Sequence, residues 1–502
     1  MNRRNTVLNA EKEFMVDFFG LEPGEIEDIA YVNQPGKRCA LRIILTNDHD
    51  PCPDCGCPHP RVKEYIPKKI KYADGTGRDC ILLYHARRFK CPACHRTYYE
   101  PSPFVQKKGK IADKVVFDIL KDLKDYNQTF ASVGRKYCVS ATTVSNIFDA
   151  HVEIPRKKLP SLLCIDEVYA MKTQGSKYVC LLLDFEKQTP VDLLPNRWLP
   201  SLLEYMSLIP EEERLGVKAV CFDMYPAYRK MVKACFPNAI GVVDRFHVMQ
   251  EFTRRLTKVR IRVMNRTRAR RERLKEEMKA VESDFPRERY RDDPCWQRIS
   301  ADWQKTSDQY YVLKHFHWLL SKDEDLDIFD PGREGQYNRH FQKYMTLLQL
   351  REILLGIDPE LEEAVRLKRV LTHMYESGTY DKAGEQLFNE TYVAFRNSSI
   401  KEMNGFSRTM KEWRDEIFNS FNTVTVEYMV NRRSEYTIKS VRLHNGIIEN
   451  RNKMIKCMKH NSYGFTNWVR FRNRVMYVLD PKATYSLEPR FGSKAVKKKK
   501  NK

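Results

Sequence analysis

The chain has 502 residues, with 88 Lys and Arg against 66 Asp and Glu, a formal net charge of +22. That length corresponds to roughly three to four domains, and 42% hydrophobic residues can fill several cores, which excludes a wholly disordered chain. No apolar run approaches the roughly 18 residues of a membrane helix, and the opening MNRRNTVLNAEKEFMVDFFG lacks a signal peptide's apolar stretch. A soluble, intracellular protein with no membrane partner is expected, and its excess positive charge points to nucleic acid.

Residues 1–45 form an N-terminal segment without a chemical motif. In the next block, 46–105, Cys52-Pro-Asp-Cys55 and Cys91-Pro-Ala-Cys94 make two CxxC knuckles separated by residues 56–90. Each offers two thiolates to one ion, and together they complete a four-sulfur zinc site. The segment between them reads as two strands with a turn at Asp74-Gly75, so the block reads as a zinc ribbon. Cys57, His59, Cys80 and His95 stand close enough to substitute as ligands. Lys63, Lys68, Lys69, Lys71, Arg87, Arg88 and Lys90 suit phosphate contact. The remaining cysteines stand singly, several inside apolar runs (Cys164, Cys180, Cys221), where Cys behaves as a small buried hydrophobe.

Residues 106–153 read as a helix-turn-helix. A short helix over Thr129–Tyr137 is followed by a turn at Cys138-Val139-Ser140 and a second helix from Ala141, with Ser140 as its N-cap. Ala131, Val139, Val144 and Ile147 are expected to pack between the helices. Thr142, Thr143, Ser145 and Asn146 are then expected to face outward, where a recognition helix meets base edges.

From residue 160 the texture changes to short apolar runs. Leu162–Asp166 reads as a strand ending in a carboxylate, and strands over 177–184 and 190–194 follow. A helix over 199–208 leads to a strand over 217–223, again ending in a carboxylate. After a helix over 228–235, a fifth strand over 239–243 ends at Asp244-Arg-Phe-His247. Three hairpin-like strands followed by alternating strands and helices is the order of a ribonuclease-H-like fold. There the first and fourth strands are neighbours, which brings Asp166 and Asp223 together. Paired carboxylates suit magnesium, which takes oxygen ligands and keeps several waters. A third acid is expected from a later helix. Glu449 is the candidate, with Asn445 as N-cap and Asn452, Lys453 and Lys456 on its face; the lysines would hold the DNA end.

Between these carboxylates the chain is helical and charged. Val248, Phe252, Leu256, Val259 and Val263 form one apolar stripe, while Arg254, Lys258 and Arg262 line another face and are expected to contact DNA. A solvated face is the ordinary explanation for such a run. The expected division is a core over 160–264 and 426–480, interrupted by an all-α insertion over 265–425, and a basic tail over 481–502. Lys497-Lys-Lys-Lys500 would add nonspecific phosphate affinity.

The paired CxxC motifs, the helix-turn-helix, LLCIDEV, AVCFDMYPAYR, VVDRFHV and HNGIIENRNKMIKCMKHNSYGF together resemble the bacterial insertion-sequence transposases of the ISL-three family, from about residue 45 to 478. The resemblance implies a DDE transposase with Asp166, Asp223 and Glu449 as its metal-binding triad, using magnesium or manganese beside a structural zinc. It also points to Asp244 and His247 as secondary candidates. Asn450 stands where Gly is expected in many relatives, Lys459-His460 where Lys-Arg is commoner, and the tail has no counterpart. The implied partners are the element's own terminal inverted repeats, target double-stranded DNA and at least one further copy of the chain, in the bacterial cytoplasm at the nucleoid. A DNA-binding transcription regulator, a structure-specific nuclease and an inactive transposase derivative are the alternatives.

Overall fold

The computed structural model describes residues 25–34, 38–46, 51–72, 79–105, 109–173, 175–285, 287–323, 326–429 and 436–490. Most of the N-terminal segment, the turn at Asp74-Gly75 and the lysines at 497–500 lie outside the described residues.

The first module is a five-stranded sheet. Strands β1 (Ile26–Gln34) and β2 (Arg38–Leu45) pair antiparallel; β3 (Arg61–Lys71), β4 (Cys80–Lys90) and β5 (Thr97–Tyr99) complete it in the order β1-β2-β4-β3, with β5 also on β4. Leu82, Tyr84 and Ala86 alternate into the core along β4, as a half-buried strand requires. Because β2 pairs parallel with β4, the expected boundary at residue 45 cuts through one sheet, which reaches back to Ile26. Several of the expected phosphate contacts are also engaged. Arg87 is buried and donates to Glu100 at 2.6 Å, Lys71 pairs with Asp79, and Arg88 pairs with Glu64 at 2.8 Å.

Three helices follow: α1 (Asp113–Asp122), α2 (Phe130–Lys136) and α3 (Ala141–His151). Thr129 caps α2 in a reciprocal box with Ser132, and Ser140 caps α3 by accepting from the Thr143 N–H at 3.0 Å. The cap at Thr129 sets the helix phase, so Val133 and Gly134 face inward while Ala131, expected in the interface, is exposed. Gly134 is needed there, since a Cβ would meet the Val139 carbonyl oxygen at 2.7 Å.

The central sheet has strands β6 (Leu162–Thr173), β7 (Ser176–Asp184), β8 (Pro190–Leu194), β9 (Ala219–Phe222) and β10 (Ile240–Val243) in the order β10-β9-β6-β7-β8. The first three are antiparallel neighbours, and β9 and β10 run parallel to β6. Helices α4 (Leu199–Ser207), α5 (Glu211–Leu215) and α6 (Pro226–Cys235) connect them. Both faces are covered, which is why these strands read as continuous apolar runs. Leu163 and Ile165 pack toward one core, Leu162, Cys164 and Val168 toward the other. Strand β6 continues to Thr173, so Asp166 lies within the strand and not at its end.

Helix α7 (Arg245–Ser283) is 39 residues long and buries the expected stripe from Val248 to Val263. It runs unbroken through 264–265, so no domain boundary falls there. It packs with α8 (Pro294–His315), α9 (Leu347–Leu355), α10 (Pro359–Ser377), α11 (Lys382–Arg396), α12 (Lys401–Glu412) and α13 (Arg414–Phe418). The insertion is not all-α: β11 (Gln336–Asn338) and β12 (Lys343–Met345) form a hairpin within it. Strands β13 (Thr423–Met429) and β14 (Tyr436–Arg442) then lead to α14 (Gly446–Asn461) and α15 (Trp468–Leu479).

Helix α15 fastens helices α1–α3 to the core. Arg474, buried, donates to the carbonyls of Asp125 and Gln128 at 3.0 Å, and Tyr477 donates to the Leu120 carbonyl at 3.0 Å. Arg470 forks onto Asp149 of α3 at 2.6–3.0 Å. Gly134→Ala is expected to cost about 1–3 kcal/mol of the α2–α3 unit's stability, read by hydrogen exchange of its amides; unchanged protection would show that the turn has room for a methyl group.

Candidate active site and metal centres

The two cysteine knuckles adopt the same backbone form. Gly56 N–H donates to the Cys52 carbonyl at 2.8 Å and His95 N–H to the Cys91 carbonyl at 3.0 Å, with Gly56 and His95 both at positive φ. The turns superpose the thiols: Cys52 and Cys94 Sγ lie 3.7 Å apart, Cys55 and Cys91 Sγ 3.5 Å. All four sulfurs lie within 4.8 Å of one another, and none of the substitutes Cys57, His59, Cys80 or His95 joins them. The Cys94 N–H pulls the Cys91 thiol down to about 6, while against the pull of the Cys57 N–H the Cys91 thiol pushes Cys55 up to about 12, so one thiolate is favoured in the cluster and a metal would draw out the rest. The donor set is compatible with structural zinc.

The acidic centre is built from three elements. Asp166 of β6 is 8% exposed. Its Oδ1 accepts from the Glu167 N–H at 2.8 Å and its Oδ2 from Asn452 Nδ2 at 2.8 Å. Asp223 follows β9, the neighbour of β6, and its Oδ1 is buried without a hydrogen-bond partner among the described residues. Glu449 lies in the first turn of α14. Burial pushes the Asp166 carboxyl up to about 8, reinforced by Glu167, Asp223 and Glu449. Burial likewise raises Asp223 to about 7, with Glu167 adding to it and Arg197 opposing. Orphaned buried oxygen and crowded negative charge fit a divalent, oxygen-seeking cation. The three carboxylates are set wider than the thiols, outside the 4.8 Å grouping.

Asp244 and His247 flank this centre. Asp244 is buried and caps α7 through Phe246 N–H at 2.9 Å, while its other oxygen accepts from the Asn445 N–H at 2.7 Å. Asn445 does not cap α14 with its side chain; its amide donates to the Ile165 carbonyl at 3.1 Å. Burial lowers the His247 pKa against the pull of Asp244.

Other expected site residues are placed differently. Lys453 and Lys456 are exposed on the outer side of α14, whereas Asn452 turns inward and is 5% exposed. Thr142 and Asn146 face solvent on α3. Ser145 does not: it is buried and donates to the Thr142 carbonyl at 3.0 Å, because α3 must bury that side. Thr143 is half-buried and shares its hydroxyl with Ser140 at 2.8 Å. Arg254 pairs with Glu251 at 3.2 Å, and Lys258 is exposed. Arg262 is not a free DNA contact, since Glu360 and Glu402 from two insertion helices close on it.

Three partners of the centre were missed as such. Glu167 is the first: it is the largest acidic influence on both aspartates and pairs with Arg197, while Tyr228 donates to it at 3.2 Å. The second is Asn452, whose signal was its position one helical turn beyond Glu449. Asn445 is the third.

Two outcomes follow from this geometry. The folded-state pKa of Asp166 lies above the unfolded value of about 3.9, so the unfolded chain ionises first and stability is lost as pH rises from about 4 to 8. Zinc-loaded Asp166→Asn protein in magnesium-free buffer is therefore expected to melt roughly 2 °C or more above wild type at pH 8, with the gap shrinking as pH falls to about 4.5; an equal or lower Tm at pH 8 contradicts the burial account. The Cys52→Ser, Cys91→Ser double variant is expected to lose zinc and unfold its module, as read by metal content and circular dichroism; stoichiometric zinc in that variant removes the assignment.

Comparison with known proteins gives this arrangement its context. The chain is 21% identical over 461 residues to the transposase for insertion sequence element IS1001 of Bordetella parapertussis, a match covering 91% of this chain and 95% of that protein. Residues 163–475, which contain both aspartates and Glu449, match the sequence profile of a transposase family. The chain belongs to that family, the DDE transposases of the ISL-three type.

Proposed function

We propose that this transposase cuts DNA at the ends of its own insertion sequence and joins the freed ends to target DNA, with Asp166, Asp223 and Glu449 as the catalytic residues. The carrying observation is buried Asp166 and half-buried Asp223 beside Glu449, the two aspartates held well above ordinary carboxylate pKa with Arg197 opposing at Asp223. The three would hold magnesium or manganese. Bound there, such ions supply positive charge that eases deprotonation of an attacking hydroxyl and neutralises the departing oxygen. Asn452 and the Glu167 N–H fix the orientation of Asp166, and Asp244 with Asn445 fixes the start of α14 against β6. In the first step water attacks the phosphorus at the element end and the 3′ oxygen leaves as a hydroxyl. In the second, that hydroxyl attacks a target phosphodiester, and the displaced target oxygen takes up the proton. No covalent bond to the protein forms.

The strand order β10-β9-β6-β7-β8 supports a ribonuclease-H-like core. Helices α2 and α3 support a helix-turn-helix that reads the terminal inverted repeats with Thr142 and Asn146, and the thiol cluster supports a structural zinc ribbon beside it. Pairing two element ends requires at least a dimer, acting in the bacterial cytoplasm at the nucleoid. Among the described residues no helix is long and apolar enough to cross a membrane. A transcription regulator would need the same N-terminal modules but no buried carboxylate centre.

Asp166→Asn, Asp223→Asn and Glu449→Gln are each expected to abolish cleavage and strand transfer on the element's own ends with magnesium. Repeat binding should stay near wild type, and the losses should be non-additive, as for a site acting as a unit. Glu211→Gln, an exposed acid on α5, is the matched control. Full strand transfer by Glu449→Gln sinks the three-carboxylate assignment.

A further inference from the structure

The carboxylate centre is bordered by aromatic rings that the proposed chemistry leaves unused. Strand β6 runs on from Asp166 and Glu167 to Tyr169, which is 44% exposed and meets its cross-strand neighbour Tyr178, 39% exposed, with ring centroids 5.6 Å apart. Arg197, paired with Glu167, lies 4.7 Å from the ring centroids of both Tyr178 and Tyr225. Next to it Trp198 is 45% exposed, its ring lying so close to the β6–β7 turn that a Cβ on Gly175 would meet it at 3.1 Å. From α14, Lys459 reaches over Tyr169 with Nζ 3.9 Å from the ring centroid. Exposed rings interleaved with two cations have the composition of a surface that stacks bases and holds the phosphates between them.

Its distance from the acidic centre is fixed twice. Three residues of strand separate Asp166 from Tyr169, about 10 Å along β6, with Tyr169 on the side of the strand that Glu167 and its partner Arg197 occupy. Seven residues of helix separate Asn452, bonded to Asp166, from Lys459, also about 10 Å. That is about three base steps of duplex DNA.

We propose that Tyr169, Tyr178 and Trp198, with Arg197 and Lys459, form a stacking platform for unpaired bases of the DNA strand immediately beyond the bond cut at Asp166. The ligand is single-stranded, because bases inside a duplex keep both faces stacked and leave none for a protein ring. The inference rests on the proposed function, which it deepens by assigning the substrate a locally opened end.

The test is anisotropy binding by the full-length, zinc-loaded protein in magnesium-free buffer, so that no cutting intervenes. Two labelled DNAs carry the element's end, one fully paired and one with the three bases beyond the cut left unpaired. Wild type is expected to prefer the unpaired-end DNA several-fold. Tyr169→Ala and Tyr178→Ala are expected to lose about tenfold on that DNA and less than twofold on the paired one, Tyr169→Phe to retain wild-type binding, and Lys459→Ala to lose an intermediate amount. A 2-aminopurine among the unpaired bases should be quenched by wild type and not by Tyr169→Ala. Equal losses on both DNAs, no preference in wild type, or a changed oligomeric state in Tyr178→Ala would each overturn the platform. Because binding is read without cleavage, a negative result here leaves the carboxylate assignment standing, and active Glu449→Gln protein leaves the platform standing.

Discussion

The hydrogen bond from Asn452 Nδ2 to Asp166 Oδ2, 2.8 Å long, registers the late helix α14 against the central strand β6, and the acidic centre depends on it. Asp166 and Glu449 come from opposite ends of the family-matched residues 163–475, with helices α7–α13 between them. Their proximity has to be enforced by contacts that a metal-free protein can make. Asn452 supplies one. Asn445 supplies two more, donating its amide to the Ile165 carbonyl and its backbone N–H to Asp244. Asp244 in turn begins the long helix of the insertion. One buried carboxylate therefore ties the last strand of the sheet, the start of the insertion and the start of the Glu449 helix to a common point.

Such a centre is costly to fold. Burying Asp166 and Asp223 beside Glu167 and Glu449 raises their pKa values because the charged forms lose water and repel each other. The molecule offsets this with large apolar cores on both faces of the sheet. Sites that must bind a charged ligand commonly carry this strain, and the ligand relieves it. Helix α15 extends the same economy outward. Through Arg470, Arg474 and Tyr477 it fixes α1–α3 to the core, so DNA held by α3 would lie at a set distance from the carboxylates.

What could be read from the sequence was what local pattern encodes. The central strands were legible because each is a short apolar run buried on both faces, and the nearness of Asp166 to Asp223 followed from strand order. The cysteine knuckles were legible because two four-residue CxxC turns, alike but for Asp54 and Ala93, present thiols in the same way. Tertiary partners from distant segments were not. Arg262 looked like a DNA contact because the glutamates that close on it, Glu360 and Glu402, come from helices far along the chain. Ser145 looked outward because the cap at Ser140 fixes where α3 begins but not which side of it the rest of the fold covers. Glu167 acts on the centre although strand alternation turns it away from Asp166, because its pairing with Arg197 and Tyr228 places it beside Asp223.

The central claim is that the buried carboxylates form a cation site held in register by Asn452. The most direct test is a Mn2+ titration of zinc-loaded protein followed by electron paramagnetic resonance, comparing wild type with Asp166→Asn and Asn452→Ala. Wild type is expected to take up Mn2+ at this centre, with binding lost in Asp166→Asn and weakened about 10–100-fold in Asn452→Ala. Equal Mn2+ uptake by all three proteins would contradict the account.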